Sequence, residues 1–263
     1  MPKTLIVPVD GSTLAERALP VANLLAQRLD SCEIVVVAVD VAAADRHRDY
    51  VESLVARFGG GTVTVRSECH SGDPAGVVAR LSQREPDAAV CMTTHGRGRF
   101  AAPLLGSVAT EVLRAVDVPV LLLGPKCDDD WWHEPPHLVA CWAGSDSDAI
   151  LDPACAWSDA LGMDLSLLCV FHPLDVPASV DPDSQFAPAL ARLDPAHRGV
   201  RTIALRDDLP AMAIAEEARS LPATVVALTT RAREGVDRMV LGSVALDVVR
   251  QSPCPVLAVR RSR

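Results

Sequence analysis

The stretch MTTHGRGRFAAPLLGSVATEVLRAVDVPVLLL, residues 92–123, decides the fold of this chain, because it recurs 136 positions later. The second copy, LTTRAREGVDRMVLGSVALDVVRQSPCPVLAV, spans residues 228–259, and 13 of the 32 aligned positions are identical. A repeat of this length indicates that one structural unit has been duplicated. The copies differ at positions able to touch a ligand, so their comparison predicts where a binding site persists and where it has degenerated.

Length and composition set the number of domains and exclude several classes of function. The 263 residues fit two units of roughly 125 residues each, placed at 1–125 and 137–263 with an acid- and proline-rich linker at 126–136. No apolar run approaches the roughly 20 residues of a membrane span, and the start, MPKTLIVPVDGS, lacks the layout of a leader peptide. A net charge of −9 argues against nucleic-acid binding, and we expect a cytoplasmic protein.

The cysteines and the scarcity of lysine limit the chemistry further. The eight cysteines lie singly, with neither a C-x-x-C pair nor zinc-ligand spacing, so we expect buried reduced thiols and no metal site. Only Lys3 and Lys126 are lysines. A mechanism that needs a lysine at a phosphate therefore has almost no residue to use.

Short β-branched runs alternate with helical patterns in the first unit. The helix after the first strand has the i, i+3, i+4, i+7 apolar spacing that packing on a sheet requires, at Ala15, Ala18, Leu19, Ala22, Ala26 and Leu29. Strand and helix in alternation require crossover connections and a parallel sheet covered on both faces. We predict a doubly wound α/β domain with strands at Leu5–Val9, Ile34–Val39, Val63–Arg66, Ala88–Met92 and Val118–Leu123.

The second unit repeats this order more loosely. Its predicted strands are Leu138–Trp142, Leu165–Phe171, Arg201–Leu205, Thr224–Leu228 and Val256–Val259, with helices near Asp148–Leu161, Pro210–Arg219 and Val244–Arg250. Residues 172–199 carry five prolines and little periodicity. They predict a surface loop with one helix near Phe186–Leu193.

Two loops at the carboxyl ends of strands are candidates for a ligand site, since ligands of open parallel sheets collect there. Asp10 follows the first strand and could accept hydrogen bonds from a ribose or an adenine edge; the alternative is a helix cap, for which Ser12 or Thr13 is the more obvious candidate. Gly106-Ser107 opens a helix whose free N–H groups favour an anion such as a phosphate. In the alternative, Gly96 and Gly106 only make turns and Ser107 caps the helix.

With these residues the first unit resembles the universal stress protein family in its tandem form. The family pattern is a glycine, two residues, a second glycine, nine residues, then Gly-Ser or Gly-Thr, on a five-stranded flavodoxin-like sheet. Here Thr93 replaces the first glycine, and Gly96 and Gly106-Ser107 match the others. VPVDGS at the first strand, GDPAGVV (Gly72–Val78) and DVPVLLL (Asp117–Leu123) also agree. The resemblance implies two tandem flavodoxin-like domains that form an intramolecular pseudo-dimer through their last strands.

The resemblance also implies which residues bind ATP, alone or with Mg²⁺. The adenine would meet main chain near Val39, Asp10 would face the adenosine, and Gly96, Gly106 and Ser107 would surround the phosphates. Arg97 and Arg99 could supply cationic partners, or could simply be solvated. The implied nucleotide-binding residues are Pro8, Asp10, Val39, Thr93, Thr94, His95, Gly96, Arg97, Gly106, Ser107 and Val108.

The second unit departs from this pattern at the same places. Ala143 stands where Asp10 stands, Cys141 at Pro8, Arg231 at His95 and Ala232 at Gly96, although Gly242-Ser243-Val244-Ala245 is retained. The carboxylate is lost, and a Cβ on Ala232 would narrow the room for phosphate. We therefore expect a degenerate site in this half, where Gly242 and Ser243 serve mainly as a helix start.

The function expected from the sequence is a stress-response sensor or regulator that binds an adenine nucleotide in its first domain. No catalytic residue is assigned, because His95 has no second acid or base at a diagnostic spacing and no G-x-x-x-x-G-K-[ST] loop is present. The alternatives are a slow ATP hydrolase and a nucleotide-free interaction scaffold, the latter because of Thr93. The last strands of the domains are expected to pair within the chain, and a further homodimer is left open.

Overall fold

The computed structural model describes residues 1–40, 47–85, 87–94, 105–174, 181–197, 200–221, 224–232 and 239–260. The chain divides into two compact units. The first contains Met1–Leu123 together with the short strand Met239–Val240, and the second contains Gly124–Ala232 and Leu241–Arg263.

The first unit is a five-stranded parallel sheet with crossover helices. In chain order its elements are β1 (Thr4–Val9), α1 (Thr13–Glu16), α2 (Ala18–Arg28), β2 (Glu33–Asp40), α3 (Arg48–Phe58), β3 (Val65–Ser71), α4 (Pro74–Arg84), β4 (Ala88–Thr93), α5 (Ser107–Ala115) and β5 (Val120–Leu123). The strand order is β3-β2-β1-β4-β5, with every pair parallel. The chain reverses its direction of winding between β1 and β4, which is the switch point where such sheets bind ligands.

Burial explains why these residues form this sheet. The central strands β1, β2 and β4 are almost continuous β-branched and alanine runs, because a parallel sheet is covered on both faces. The stripe predicted for the first helix is buried throughout, but the helix is divided at Arg17 into α1 and α2. The predicted fold class, tandem α/β domains with mostly parallel sheets, is confirmed.

The second unit repeats the architecture. Its elements are β6 (His137–Cys141), a 3-10 turn (Ser145–Ile150), α6 (Leu151–Leu161), β7 (Asp164–Phe171), α7 (Ala187–Arg192), β8 (Arg201–Arg206), α8 (Pro210–Ser220), β9 (Val225–Ala232), α9 (Ser243–Gln251) and β11 (Val256–Arg260). The short strand between β9 and α9, β10 (Met239–Val240), belongs to the first unit. The strand order is β8-β7-β6-β9-β11, so the switch point here lies between β6 and β9.

The proline-rich segment of the second unit contains the helix that the sequence predicts, and it contributes to the core. Phe186, immediately before α7, is completely buried. Its ring lies 5.9 Å from that of Trp142, and the Trp142 indole donates a 2.8 Å hydrogen bond to Asp148 Oδ1. Arg192 on α7 lies 3.4 Å from the same carboxylate. The described part of the segment is therefore anchored at the carboxyl end of β6.

The linker between the domains is less exposed than the sequence predicts. Its acidic residues are exposed, but the side chains of Cys127 and Trp131 are 3% and 4% exposed. The Asp128 N–H donates to the Pro253 carbonyl at 2.8 Å. The composition predicted a solvated connection, whereas the two apolar side chains and this hydrogen bond make the segment part of the second unit.

The eight cysteines form no disulfide bond. Five of them are buried as predicted, namely Cys32, Cys91, Cys127, Cys169 and Cys254, whereas Cys69, Cys141 and Cys155 are half-buried. Burial raises the pKa of Cys32, Cys155, Cys169 and Cys254 to about 11 and that of Cys141 to about 12. These thiols are therefore protonated and unreactive at neutral pH. Within the described residues, no group of three or more His, Cys, Asp or Glu side chains is arranged to hold a metal ion, and no helix is long and apolar enough to span a membrane.

Candidate functional site

The candidate site of the first unit lies at the carboxyl ends of β1, β2 and β4. The register pairs Val9 with Ala38 on β2 and Thr4 with Ala88 on β4, so the three strands end at one edge of the sheet. Pro8 and Val39 are half-buried at this edge. The structure thus brings Pro8, Val39 and Asp10 together with the end of β4.

Asp10 is held in a fixed position by the residue that caps the following helix. Its Oδ1 accepts hydrogen bonds from the Ser12 N–H at 2.9 Å and from the Ser12 hydroxyl at 2.6 Å. The Ser12 hydroxyl in turn accepts from the Ala15 N–H at 3.1 Å, which makes Ser12 the N-cap of α1. The cap is therefore Ser12 and not Asp10, and the carboxylate is oriented at the strand end.

Tyr50, which the sequence patterns did not single out, lies beside the turn that follows Asp10. Gly11 has a φ of 81°, a conformation that favours glycine. Tyr50 on α3 donates a hydrogen bond to Glu16 Oε1 at 3.1 Å, and its hydroxyl lies close to the Gly11 backbone. Burial and the neighbouring Glu16 carboxylate raise the pKa of Tyr50 above its usual range. The one feature of the sequence that could have drawn attention to Tyr50 is that the chain has no other tyrosine.

We expect the Tyr50→Phe variant to be less stable than the parent by about 1 kcal/mol, because Glu16 loses a hydrogen-bond partner. Urea unfolding measures the difference. Ser53→Ala is the control on the same helix. Ser53 is exposed and its hydroxyl donates to the Tyr50 carbonyl at 2.6 Å, so the effect of the substitution should stay within about 0.5 kcal/mol. Equal stabilities of the two variants would contradict the role given to the tyrosine hydroxyl.

The loop after β4 returns to the same edge at the start of α5. The Thr94 N–H donates to the Leu123 carbonyl at 3.0 Å, and the Gly106 N–H donates to the Thr94 carbonyl at 2.8 Å. Gly106 is the N-cap of α5 and supplies no side-chain hydrogen bond. Ser107 and Val108, in the first turn, are exposed. The first N–H groups of the helix have no acceptor within the helix, and the positive end of the helix dipole lies at this edge of the sheet.

The predicted residues fall into two groups. The structure brings together Pro8, Asp10, Val39, Thr93, Thr94, Gly106, Ser107 and Val108 at the switch point of the first unit. His95, Gly96 and Arg97, with Arg99, lie outside the described residues.

The second unit has a cavity of about 330 Å³ at its own switch point. Cys141 and Ala143 border it at the positions of Pro8 and Asp10, and Gly242–Ala245 borders it at the start of α9. This unit therefore has space for a ligand at its switch point. The residues that line the space differ from those of the first unit, since Cys141 and Ala143 replace Pro8 and Asp10. The side chains of Arg231 and Ala232 lie outside the described part of the chain.

A hollow of about 300 Å³ beside β3 is lined in part by Glu68 and His70, which pair with each other. His70 Nε2 lies 2.8 Å from Glu68 Oε2, and Arg66 and Arg84 also bond Glu68. Although burial opposes its charged form, the hydrogen bonds from His70, Arg84 and Arg66 lower the pKa of Glu68. His70 is thus paired with Glu68 in this cluster of charges.

The chain is a tandem of two doubly wound α/β domains, and in each domain a helix begins at the switch point of the sheet. Comparison with known proteins identifies the family. The sequence model of the universal stress protein family matches residues 1–124 and 138–260. The chain belongs to the universal stress protein family. Comparison with curated proteins finds no match.

Several solved structures have the same fold. A universal stress protein from Archaeoglobus fulgidus is 19% identical with a TM-score of 0.75, and the alignment covers 100% of both chains. A Pseudomonas aeruginosa protein described as functionally unknown is 16% identical with a TM-score of 0.72, over 99% of this chain and 93% of the other. A putative universal stress protein from the same species is 17% identical with a TM-score of 0.72, over 98% and 93%.

Proposed function

We propose that the first unit binds ATP or a similar adenine nucleotide, alone or with Mg²⁺, and that the protein acts as a sensor or regulator. The observation that carries the proposal is the pairing of two features across one switch point. Asp10 is fixed at the end of β1 by Ser12, and the start of α5 at Gly106 has no side-chain cap.

The chemistry of these two features fits the two ends of a nucleotide. A carboxylate accepts hydrogen bonds from ribose hydroxyls or an amino group, and it is acceptor-only when ionised. The N–H groups at a helix start favour an anion, and Gly106 lets a phosphate approach the main chain without interference from a Cβ. Val39 would offer main chain to the adenine, and Thr93 to Arg97 would complete the phosphate loop.

The remaining functional expectations form part of the same proposal. Arg97 and Arg99 would neutralise phosphate charge in a protein that has two lysines. The second unit, without a carboxylate at Ala143, would not hold a nucleotide with comparable affinity. Three further expectations remain predictions: a cytoplasmic location, the pairing of the domains through their last strands, and a further homodimer.

The test compares the thermal unfolding of the full chain with and without ATP, in the parent and in the Asp10→Ala variant. At ATP concentrations about 100 times the dissociation constant, the parent should gain about 2.7 kcal/mol, which raises the Tm by roughly 5–10 °C for a protein of this size. Asp10→Ala should bind ATP at least about tenfold more weakly, because a hydrogen bond to a charged group is lost. Asp30→Ala, an exposed acid after α2, is the control and should keep the full shift.

Other outcomes decide between the alternatives. A parent that ATP does not stabilise, and that releases no nucleotide when it is denatured after purification, is an interaction scaffold and contradicts the proposal. ATP turnover by the parent above that of Asp10→Ala would make the site a hydrolase. Retention of about one nucleotide per chain without turnover supports a binding module with one working site.

A further inference from the structure

We propose that the cavity of the second unit binds an amphipathic molecule that has one alkyl chain and a carboxylate head. The cavity has a volume of about 330 Å³, within the range of roughly 300–1,000 Å³ that is typical of sites for small organic ligands. Every described residue that lines it belongs to the second unit. The site is therefore separate from the proposed nucleotide site and does not depend on it.

One side of the cavity is polar and lies at the end of β9 and the start of α9. Thr229, Thr230 and Ser243 line it. Thr230 donates to the Val259 carbonyl at 3.4 Å, whereas the hydroxyls of Thr229 and Ser243 have no hydrogen-bond partner among the described residues. The first turn of α9 has no side-chain cap, and its N–H groups have no acceptor within the helix. This side therefore offers several donors to an oxygen-rich group.

The charges on the polar side are compatible with an anionic head. The start of α9 contributes the positive end of the helix dipole. Asp146 also lines the cavity, but it is exposed, so solvent screens its charge. The sequence that follows Thr230 carries three arginines and two acids, which are Arg231, Arg233, Glu234, Asp237 and Arg238. A carboxylate, which only accepts hydrogen bonds when it is ionised, matches a wall of donors.

The other side of the cavity is apolar and lies at β7 and α8. Leu168 and Val170 line it from β7, and Ile214 lines it from α8. Leu168 and Ile214 are at most 5% exposed, so the core fixes their positions. In the sheet, β7 and β9 are the two neighbours of β6, which places the apolar and the polar side on either side of that strand. An elongated ligand with one polar end fits this division.

Exposed apolar residues continue the apolar side beyond the cavity. Pro210, in the first turn of α8, lines the cavity, and its neighbours Leu209 and Met212 are 60% and 38% exposed. At the 136-residue offset of the repeat, these two residues correspond to Asp73 and Gly76 in the first unit. The apolar pair is thus specific to the second unit. An alkyl chain that extends past Pro210 would cover it and remove apolar surface from water.

The cavity is preformed because its largest wall residue is held from behind. Trp142 lines the cavity and is 4% exposed. Its indole donates to Asp148 Oδ1 at 2.8 Å, and its ring lies 5.9 Å from that of Phe186. A wall that does not have to reorganise lowers the cost of binding.

The test is isothermal titration calorimetry of the full chain with sodium decanoate. We expect saturation at one equivalent per chain, with an affinity that saturating ATP leaves unchanged. Hexanoate should bind at least about tenfold more weakly, because each methylene that leaves water strengthens binding by about fourfold. Decylamine has the same chain length but a cationic head, which the helix start repels, and it should also bind at least about tenfold more weakly.

Gly242→Asp tests the polar end of the site. The variant should fold, because Gly242 is the N-cap of α9 with a φ of −62° and aspartate is favourable there. Its carboxylate should weaken decanoate binding by about tenfold or more, without weakening the binding of decylamine. Gly60→Asp adds the same charge at an exposed position of the first unit and should bind decanoate like the parent.

Leu209→Ser tests the chain end of the site. It should weaken decanoate binding by about fourfold and leave hexanoate binding unchanged, and Leu14→Ser, 44% exposed on α1, is its control. The proposal is overturned by a parent without saturable decanoate binding, by equal affinities for decanoate and decylamine, or by displacement of decanoate by ATP. A folded Gly242→Asp that binds decanoate like the parent, or a Leu209→Ser that keeps the full preference for decanoate over hexanoate, contradicts it equally.

Discussion

Gly124→Ala is expected to cost about 3 kcal/mol or more of the free energy of unfolding of the second unit. A Cβ at this buried position would lie 1.8 Å from the Val249 carbonyl oxygen and 3.0 Å from its carbon. Both atoms are backbone, so no side-chain rotation relieves the overlap and α9 has to shift. Overpacking that requires a backbone shift is among the most destabilising effects of single substitutions. Urea unfolding of the full chain followed by circular dichroism measures the loss.

Gly60→Ala is the control for this prediction. A Cβ at Gly60 meets no atom within 4 Å, so its effect should stay within about 0.5 kcal/mol. If the Gly124 variant were as stable as the Gly60 variant, the inferred close contact between the backbone at Gly124 and the backbone at Val249 would be contradicted.

Gly106→Asp is expected to remove the stabilisation of the protein by ATP. The new carboxylate would stand at the N-cap of α5, where it repels phosphate and occupies its space. The variant should still fold, because Gly106 has a φ of −55° and aspartate is a favourable N-cap residue. The parent should gain about 2.7 kcal/mol at 100 times its dissociation constant, and the variant should gain nothing at the same ATP concentration.

The matched control is Gly242→Asp, which makes the same change at the N-cap of α9, where φ is −62°. We expect this variant to keep the ATP-dependent rise in Tm, because the nucleotide is proposed to bind in the first unit. Thermal unfolding of the parent, Gly106→Asp and Gly242→Asp with and without ATP shows which substitution removes the stabilisation. Loss of the ATP effect in Gly242→Asp but not in Gly106→Asp would assign the nucleotide to the second unit and contradict the proposal.

The internal repeat made most of the architecture predictable. Strands buried on both faces are nearly continuous apolar runs, so β1, β2 and β4 were predicted to within one residue. The edge strand β3 was predicted at Val63–Arg66 and runs from Val65 to Ser71. Its last residues, Glu68 to Ser71, carry no apolar signal, because they form a strand through backbone pairing with β2 rather than through burial.

The candidate site was predictable where the residues themselves carry the chemistry. Asp10, Thr94 and Gly106 each belong to a recognisable sequence motif, and the sheet topology brings their loops to one edge. Tyr50 was missed because its contacts with Gly11 and Glu16 depend on how α3 packs. Gly124 was missed for the same reason, since its neighbour Val249 is 125 positions away. Contacts of this kind are set by tertiary packing, which neither periodicity nor spacing encodes.

The placement of Trp142 has a practical consequence for studying the second unit. Its indole borders the cavity on one side and contacts the segment around Phe186 on the other. A compound that enters would therefore change the quenching and polarity sensed by a natural fluorophore, without any label. Replacing the other three tryptophans would leave Trp142 as the single indole of the chain, so that its emission reports whether the cavity is occupied.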